Sequence, residues 1–352
     1  MKNIAKVFGY VIVLLCLVYL SACNNRSKEI ELQVLQFNIW QEGTQVENGF
    51  DAIVSEIIRS KADLVALSEV RNYNGINFTK RLVDTLKAKG HTFYEHKNDD
   101  SNLISRYPIL SHGYLYGLKN DHGSITKAII DIEGTEVAFY SAHLDYTNYA
   151  CYLPRGYCGL TWKELNEPVS DVDEVLKMNE ASYRDDQIKA FIKDGLNEAK
   201  QGRLVILGGD FNEPSHKDWT TETKHLFDHN GLVVPWHCTT MLNQHGFIDS
   251  YRELYPNAVS HPGFTWVADN KAKKIDQLTW TPKADERDRI DYIFHYPDSR
   301  LKLEDAIIIG TKGSIVKNKR VQENSEDKII EPIDVWPTDH KALLVTYKLK
   351  VD

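Results

Sequence analysis

Gly208-Gly209-Asp210-Phe211-Asn212 holds the densest chemistry in this 352-residue chain. The apolar run 204–207 before it reads as a buried strand. Such a strand delivers a carboxylate and a carboxamide, two residues apart, to one side of the chain at its carboxyl end. The paired glycines leave room for backbone to crowd a ligand. A plain turn is the alternative, because Asp and Asn also close turns. Polar residues recur in this position elsewhere. Asn38 ends the alternating run 32–37, Glu69 follows 64–67, and His143 follows 136–142. Asp291 lies in the run 289–295, and Asp339-His340 stands just before 343–349. In α/β sheets, ligands commonly gather at the carboxyl ends of strands.

The elements that must position these groups alternate along the chain. Residues 50–58 and 181–196 have helical spacing. Residues 103–104 form a strand leading into the turn Ser105-Arg106-Tyr107-Pro108. Residues 125–132 and 136–142 form a hairpin around Glu133-Gly134. No internal repeat and no long low-complexity linker interrupts the pattern.

The N-terminus reads as an export signal. Lys2 and Lys6 precede the apolar run 7–20, then come Ser21-Ala22-Cys23. Leu20-Ser21-Ala22-Cys23 resembles the lipobox of bacterial lipoproteins, in which the cysteine is lipidated. An uncleaved membrane span is the alternative, although the run is short for one. The expected division is a signal peptide over 1–22, a tether over 23–31, and one domain over 32–352. The expected location is the bacterial cell envelope, periplasmic or at the cell surface, anchored by lipid. The formal charge is −8, and loss of 1–22 removes two lysines and no acids. An acidic balance argues against broad, unassisted binding to nucleic-acid backbones. A bound divalent cation would still admit a nucleic-acid substrate. Cys151 and Cys158 could pair as a disulfide in an oxidising compartment. Cys238 reads as a small buried hydrophobe.

Together these segments resemble the endonuclease/exonuclease/phosphatase superfamily. The matching pieces are Phe37-Asn38, Ala66-Leu67-Ser68-Glu69-Val70, Ser105-Arg106-Tyr107-Pro108-Ile109 and Ser141-Ala142-His143-Leu144. They continue with Gly209-Asp210-Phe211-Asn212, Phe264-Thr265-Trp266, Arg289-Ile290-Asp291-Tyr292-Ile293 and Thr338-Asp339-His340. The resemblance implies an α/β four-layer sandwich. Two mixed, mostly antiparallel sheets would pack face to face with helices outside, and the motif loops would meet at one edge. It implies metal-dependent hydrolysis of phosphoesters, with Mg²⁺ as the hard cation and Mn²⁺ or Ca²⁺ as alternates. Glu69, Asn38 and Asp339 would serve the metal. Asp210 would deprotonate the attacking water, and Asn212 would hold water or phosphate in line. His340, oriented by Asp291, and His143 would donate to phosphoryl oxygens.

Substrate contacts are expected of Trp266, which is equally readable as a core aromatic, and of Arg184, equally readable as a helix-anchoring ion pair. Arg184 and Gln187 resemble a recurring Arg-x-x-Gln of the family. A long insertion over 145–179 carries Tyr146, Tyr149, Tyr152, Tyr157 and Trp162. Residues 214–244 carry Trp219, Trp236 and four histidines. Loops that long beside a site are usually functional. Aromatic walls suit a sugar, a base or an apolar headgroup. The reading that follows is a monomeric, lipid-anchored phosphodiesterase or phosphatase acting on a small or lipid- or sugar-linked phosphoester. An exported nuclease is the first alternative, and a catalytically silent binder of anionic ligands the second.

Overall fold

The computed structural model describes residues 28–351. The expected signal peptide and lipobox, with Cys16 and Cys23, lie outside the described residues. In chain order come β1 (Lys28–Asn38), α1 (Gly49–Ser60), β2 (Leu64–Val70), α2 (Phe78–Ala88), β3 (Tyr94–Glu95) and β4 (Asp100–Ser105). Next are β5 (Ile109–Tyr116), β6 (Ser124–Ile132), β7 (Thr135–His143), α3 (Val172–Asn179), α4 (Arg184–Lys200) and β8 (Leu204–Asp210). Then follow α5 (His237–Gln244), β9 (Ile248–Asp249), α6 (Ser250–Leu254), β10 (Asp291–His295) and β11 (Leu301–Ile309). The chain closes with β12 (Gly313–Val316), β13 (Lys319–Gln322), β14 (Ile329–Ile330) and β15 (Ala342–Val351).

Two sheets dominate. A seven-stranded sheet runs β14-β11-β15-β1-β2-β4-β3, and a six-stranded sheet runs β5-β6-β7-β8-β10-β9. Both are mixed and mostly antiparallel; β1 with β2 and β7 with β8 are parallel pairs. The period-2 alternation of the central strands decides the layers. Leu32, Val34, Leu64 and Ala66 point between the sheets and meet Phe139, Leu204, Ile206 and Ile293. The alternate residues Leu35, Phe37, Val65 and Leu67 face outward onto Ile53, Val54 and Ile57 of α1 and Leu82 and Leu86 of α2. On the other side Tyr140, Val205 and Leu207 receive Ile188, Phe191 and Ile192 of α4. Burying such a side chain fully stabilises the fold by about 1.5–3 kcal/mol. The result is the expected four-layer α/β sandwich. Among the described residues, no helix is long and apolar enough to cross a membrane.

Two sequence expectations shift here. Residues 28–31, expected in a tether, belong to β1, with Lys28 opposite Val351 and Glu31 opposite Lys348. The last strand is long enough to give them backbone partners. The glycine pair also works differently from a ligand cradle. A Cβ on Gly208 would stand 2.8 Å from Cβ of Ala66 on the facing sheet, so this glycine lets the sheets approach.

The insertion packs on the 214–244 stretch. Cys151, Tyr152, Tyr157 and Val175 share a buried cluster with Trp219, Val234 and Trp236. The disulfide weighed for Cys151 and Cys158 is not formed, and both are free thiols. Cys151 is committed to that apolar cluster, whereas Cys158 turns back toward Thr161, whose hydrogen bonds lower its pKa. The four histidines do not converge on a metal. His216 pairs with Thr239, His229 stacks on Trp219 at 3.7 Å, His237 lies 3.3 Å from Asp185, and His225 lies beside Gly231.

Candidate active site

The site forms where the inward-facing rows of the two sheets change from apolar to polar. On β1 the row runs Leu32, Val34, Gln36, Asn38; on β8 it runs Leu204, Ile206, Gly208, Asp210. Register then aligns the chemistry. His143 on β7 lies beside Asp210 on β8, and Asp210 lies opposite Asp291 on β10. The facing sheet supplies Asn38, whose Nδ2 donates to Asp210 Oδ2 at 2.9 Å and to Glu69 Oε1 at 3.1 Å. Asn38 and His340 are 302 positions apart in sequence, yet Nδ2 and Nε2 stand 3.4 Å apart. Hydrogen bonds across the gap lock the sheets: Gln36 donates to Asp291 at 3.4 Å, and Ser68 donates to the carbonyl of Ala142.

Glu69 owes its place to a break in regular pairing. The β2–β4 register shifts between Leu67 and Val70, and Glu69 adopts φ 70°. Left-handed backbone is uncommon for a long side chain and marks a held position. Its Oε2 accepts the Gln41 N–H at 3.0 Å. The Asp339-His340 loop is pinned through its backbone. The Trp336 indole donates to the His340 carbonyl at 2.6 Å, and the Lys341 N–H to the Thr265 carbonyl at 2.7 Å.

Two histidine–carboxylate pairs flank Asp210. His340 Nδ1 lies 2.9 Å from Asp291 Oδ2, and its Nε2 lies 3.8 Å from Asp210 Oδ2. His143 Nδ1 lies 2.6 Å from Asp100 Oδ1, and its Nε2 lies 4.0 Å from the same Asp210 oxygen. Burial opposes the charge on both imidazoles, but the carboxylates outweigh it. Asp291 and then Asp210 raise His340 to about 10, and Asp100 raises His143 to about 9. Both rings therefore carry two protons near neutrality and present Nε2–H to the cleft. Burial, then Asp291, raises Asp210 to about 6, against the pull of His340 and His143. Burial also raises Asp339 to about 7; His340 opposes this and Glu69 adds to it. Arg289, two residues before Asp291, binds Asp218 and Asp249 instead.

These groups open into a cavity of about 330 Å³. Its polar lining includes Glu69, Arg71, His143, Asp210, Asp339 and His340. Its aromatic lining includes Trp40, Tyr149, Tyr152, Trp162, Trp266 and Trp280. Trp266 thus belongs to the cavity wall, 5.0 Å from the His340 ring. Asn212 sits at φ 50° with its N–H on Asp210 Oδ1 at 2.9 Å. Its amide is held by the Tyr149 hydroxyl and by the Leu144 carbonyl.

Arg184 does not reach this cavity. It is fully buried and donates to the carbonyls of Asp145, Thr147 and Asn148, so it braces the start of the insertion rather than touching substrate. Asn38 lies beside the expected cation ligand Glu69. Its oxygen accepts the Trp40 N–H at 2.9 Å and its NH₂ faces the carboxylates, which makes it a brace for Glu69 and Asp210. Three site residues escaped the sequence reading: Asp100, Arg71 and the Tyr149 hydroxyl. Arg71 follows Glu69 by two positions and binds Asp121 at 2.7 Å and Asp100 at 3.4 Å. That spacing was the available signal.

The donor chemistry fits a hard divalent cation. Glu69 and Asp339 present carboxylate oxygens to the cavity and repel one another. A cation there would relieve that repulsion, and oxygen ligands suit Mg²⁺, Mn²⁺ or Ca²⁺. Asp210, Asp291 and His340 also offer ligand atoms within 4.8 Å of one another, but their mutual ion pairing already satisfies them.

A family model described as Endonuclease/Exonuclease/phosphatase family matches residues 35–340. An uncharacterized Caenorhabditis elegans protein is 30% identical over 325 residues, covering 90% of this chain and 91% of its own length. D. rerio TDP2, solved with a single-strand DNA product, matches at TM-score 0.52 and 15% identity, covering 90% of this chain and 98% of that one. C. elegans TDP2 matches at TM-score 0.51 and 16% identity, covering 93% of this chain and 78% of that one. At these identities the two structures share the fold.

Proposed function

The chain belongs to the endonuclease/exonuclease/phosphatase family, and we propose that it hydrolyses phosphoesters with the aid of a divalent cation. One observation carries the reading: buried Asp210 lies within 4.0 Å of two imidazole Nε2 atoms, each ring fixed from behind by its own carboxylate. A binding cleft for anions has no need of a buried carboxylate among its donors. Ester hydrolysis needs one, to accept a proton from water between groups that stabilise negative charge.

The residues divide the work as follows. Above about pH 6 the Asp210 carboxylate is free to take a proton from the attacking water. His340 and His143 donate Nε2–H to the phosphoryl oxygens from opposite sides. Asp291 and Asp100 hold the rings and stabilise their charge. Asn212 orients water or phosphate, and Asn38 keeps Asp210 and Glu69 aligned. Glu69 and Asp339 would hold the cation, which when bound neutralises phosphoryl oxygen charge. No group in the cleft calls for a covalent intermediate.

The test is turnover of bis-p-nitrophenyl phosphate and p-nitrophenyl phosphate with Mg²⁺, Mn²⁺, Ca²⁺ or EDTA. Turnover abolished by EDTA and restored by one cation is expected. Absence of turnover with every cation would move the reading to a binding protein. A nuclease is the second reading, favoured by the single-strand DNA product bound in the D. rerio TDP2 structure. Digestion of plasmid and single-stranded DNA decides it. Export as a lipoprotein is part of the proposal and rests on the residues up to Cys23. Metabolic labelling with palmitate, lost in Cys23→Ser, is the expected result; equal labelling of the variant would sink it.

A further inference from the structure

We propose that Trp162 and Trp280 form a stacking platform that selects substrates whose ester carries a planar ring, a nucleobase or an aryl group. This rests on the phosphoesterase reading and specifies its substrate. The two indoles come from distant segments, the insertion and the stretch before β10. Their rings nonetheless lie 5.0 Å apart at 28°, a stacked pair. Both line the cavity that holds Asp210 and His340. Trp162 is fixed from below, with Tyr152 against it edge-on at 5.0 Å and Tyr149 tilted at 5.8 Å. Tyr149 in turn reaches Asn212, so the platform and the chemistry share a wall.

Trp280 is 54% exposed. Tryptophan is highly buried on average, and its flat face suits stacking where it lines a cavity. Trp162 backs Trp280, which lines the cavity and stays more than half exposed. The geometry favours a flat ring over a quaternary ammonium. An ammonium needs rings arranged around an open centre, and here the rings pack against one another. The cavity volume of about 330 Å³ lies at the small end of ligand sites, room for a phosphate and one ring-bearing group. Stacking of a base on an aromatic side chain is worth about tenfold in affinity, tolerant of which base it is.

The experiment compares adenosine 5′-phosphate with ribose 5-phosphate, which differ only in the base. Binding is read by quenching of tryptophan fluorescence and by calorimetry on the full chain, with Mg²⁺ and again with EDTA. The parent should bind the nucleotide about tenfold more tightly. Trp280→Leu should bring the ratio close to one, and Trp280→Phe should keep part of it. Trp162→Leu should act in the same direction, with thermal unfolding as the check that each variant folds. Equal affinities in the parent, no detectable nucleotide binding in either buffer, or a ratio that survives both leucine variants would overturn the platform. Phosphocholine binding more tightly than the nucleotide would also overturn it, in favour of a cation site. Selective nucleotide binding without hydrolysis of any ester would spare the platform and count against the phosphoesterase reading. Hydrolysis of p-nitrophenyl esters without nucleotide preference would do the reverse.

Discussion

The two ends of the gap between the sheets are built from the same strands and do opposite things. At one end Val34, Leu64, Phe139, Leu204 and Ile206 fill the space with hydrocarbon. At the other, further along those strands, the same inward row offers Asn38, Ser68, His143 and Asp210. The apolar end holds the sheets chiefly by burial, with His295 Nδ1 and Tyr347 Oη 3.3 Å apart across it. The polar end must satisfy the groups it buries, and pairing across the sheets and along the register does so for Asn38, Ser68, His143 and Asp210, while Gln36 Oε1 is left unpaired. Rigidity comes from the first end and reactivity from the second. Gly208 stands at the junction, where an added Cβ would lie 2.8 Å from Ala66 of the facing sheet.

Substitutions at each end should therefore separate activity from stability. The largest expected effect is on turnover. His340→Gln, whose amide can still reach Asp291, should lower kcat by about 10³-fold while moving the unfolding midpoint far less than a cavity at the apolar end does, measured by ester hydrolysis and urea denaturation. A matching loss of stability would blur the comparison. At the apolar end, Ile206→Ala should cost about 2–5 kcal/mol of stability, and kcat per folded molecule should stay near the parent value.

Acid lability should come from the core face too. Burial lowers His295 to about 4 from 6.5, with Asp249 opposing. Its ring lies 3.0 Å from Ser250 Oγ. Because the folded chain resists protonating this ring, the unfolded chain binds the extra proton between pH 6.5 and 4. Stability is then full above pH 6.5 and falls as pH drops through that window, by about 3 kcal/mol in all. Urea midpoints at pH 7 and pH 5 should diverge less in His295→Gln than in the parent; equal divergence would remove His295 from the account. The smallest effect belongs to the junction. Gly208→Ala puts a methyl 2.8 Å from Ala66 and should cost about 2 kcal/mol by forcing the sheets apart.

Much of this was legible in the sequence, for a physical reason. Asn38, Glu69, His143 and Asp210 each end a hydrophobic run, and a strand that ends in an unsatisfied polar group needs a partner. What was missed lacks that contrast. Only Leu103-Ile104 of β4 was read as strand, because its first half, Asp100-Ser101-Asn102, is polar. Those residues are nevertheless buried. Ser101 is satisfied by the hydroxyls of Ser124 and Thr126, and Asp100 by Ser124 and His143. A hydropathy pattern cannot see a strand stabilised by hydroxyl ladders, so the carboxylate behind His143 went unseen. Arg184 failed for the opposite reason. Its spacing from Gln187 resembled a family motif, but three backbone carbonyls at the insertion's start had no other donor to cap them. The insertion's aromatics divided: Tyr157 packs inside with Trp219, while Trp162 reaches the cavity.

The measurement that bears most directly on the central claim pairs Asp210→Asn with the parent. It reads hydrolysis of bis-p-nitrophenyl phosphate under the best cation, alongside the thermal midpoint. The account predicts a fall in kcat of about 10²–10⁴-fold with the midpoint unchanged or raised, since a buried carboxylate of raised pKa is a burden to the fold. Turnover within threefold of the parent, at equal stability, would contradict it.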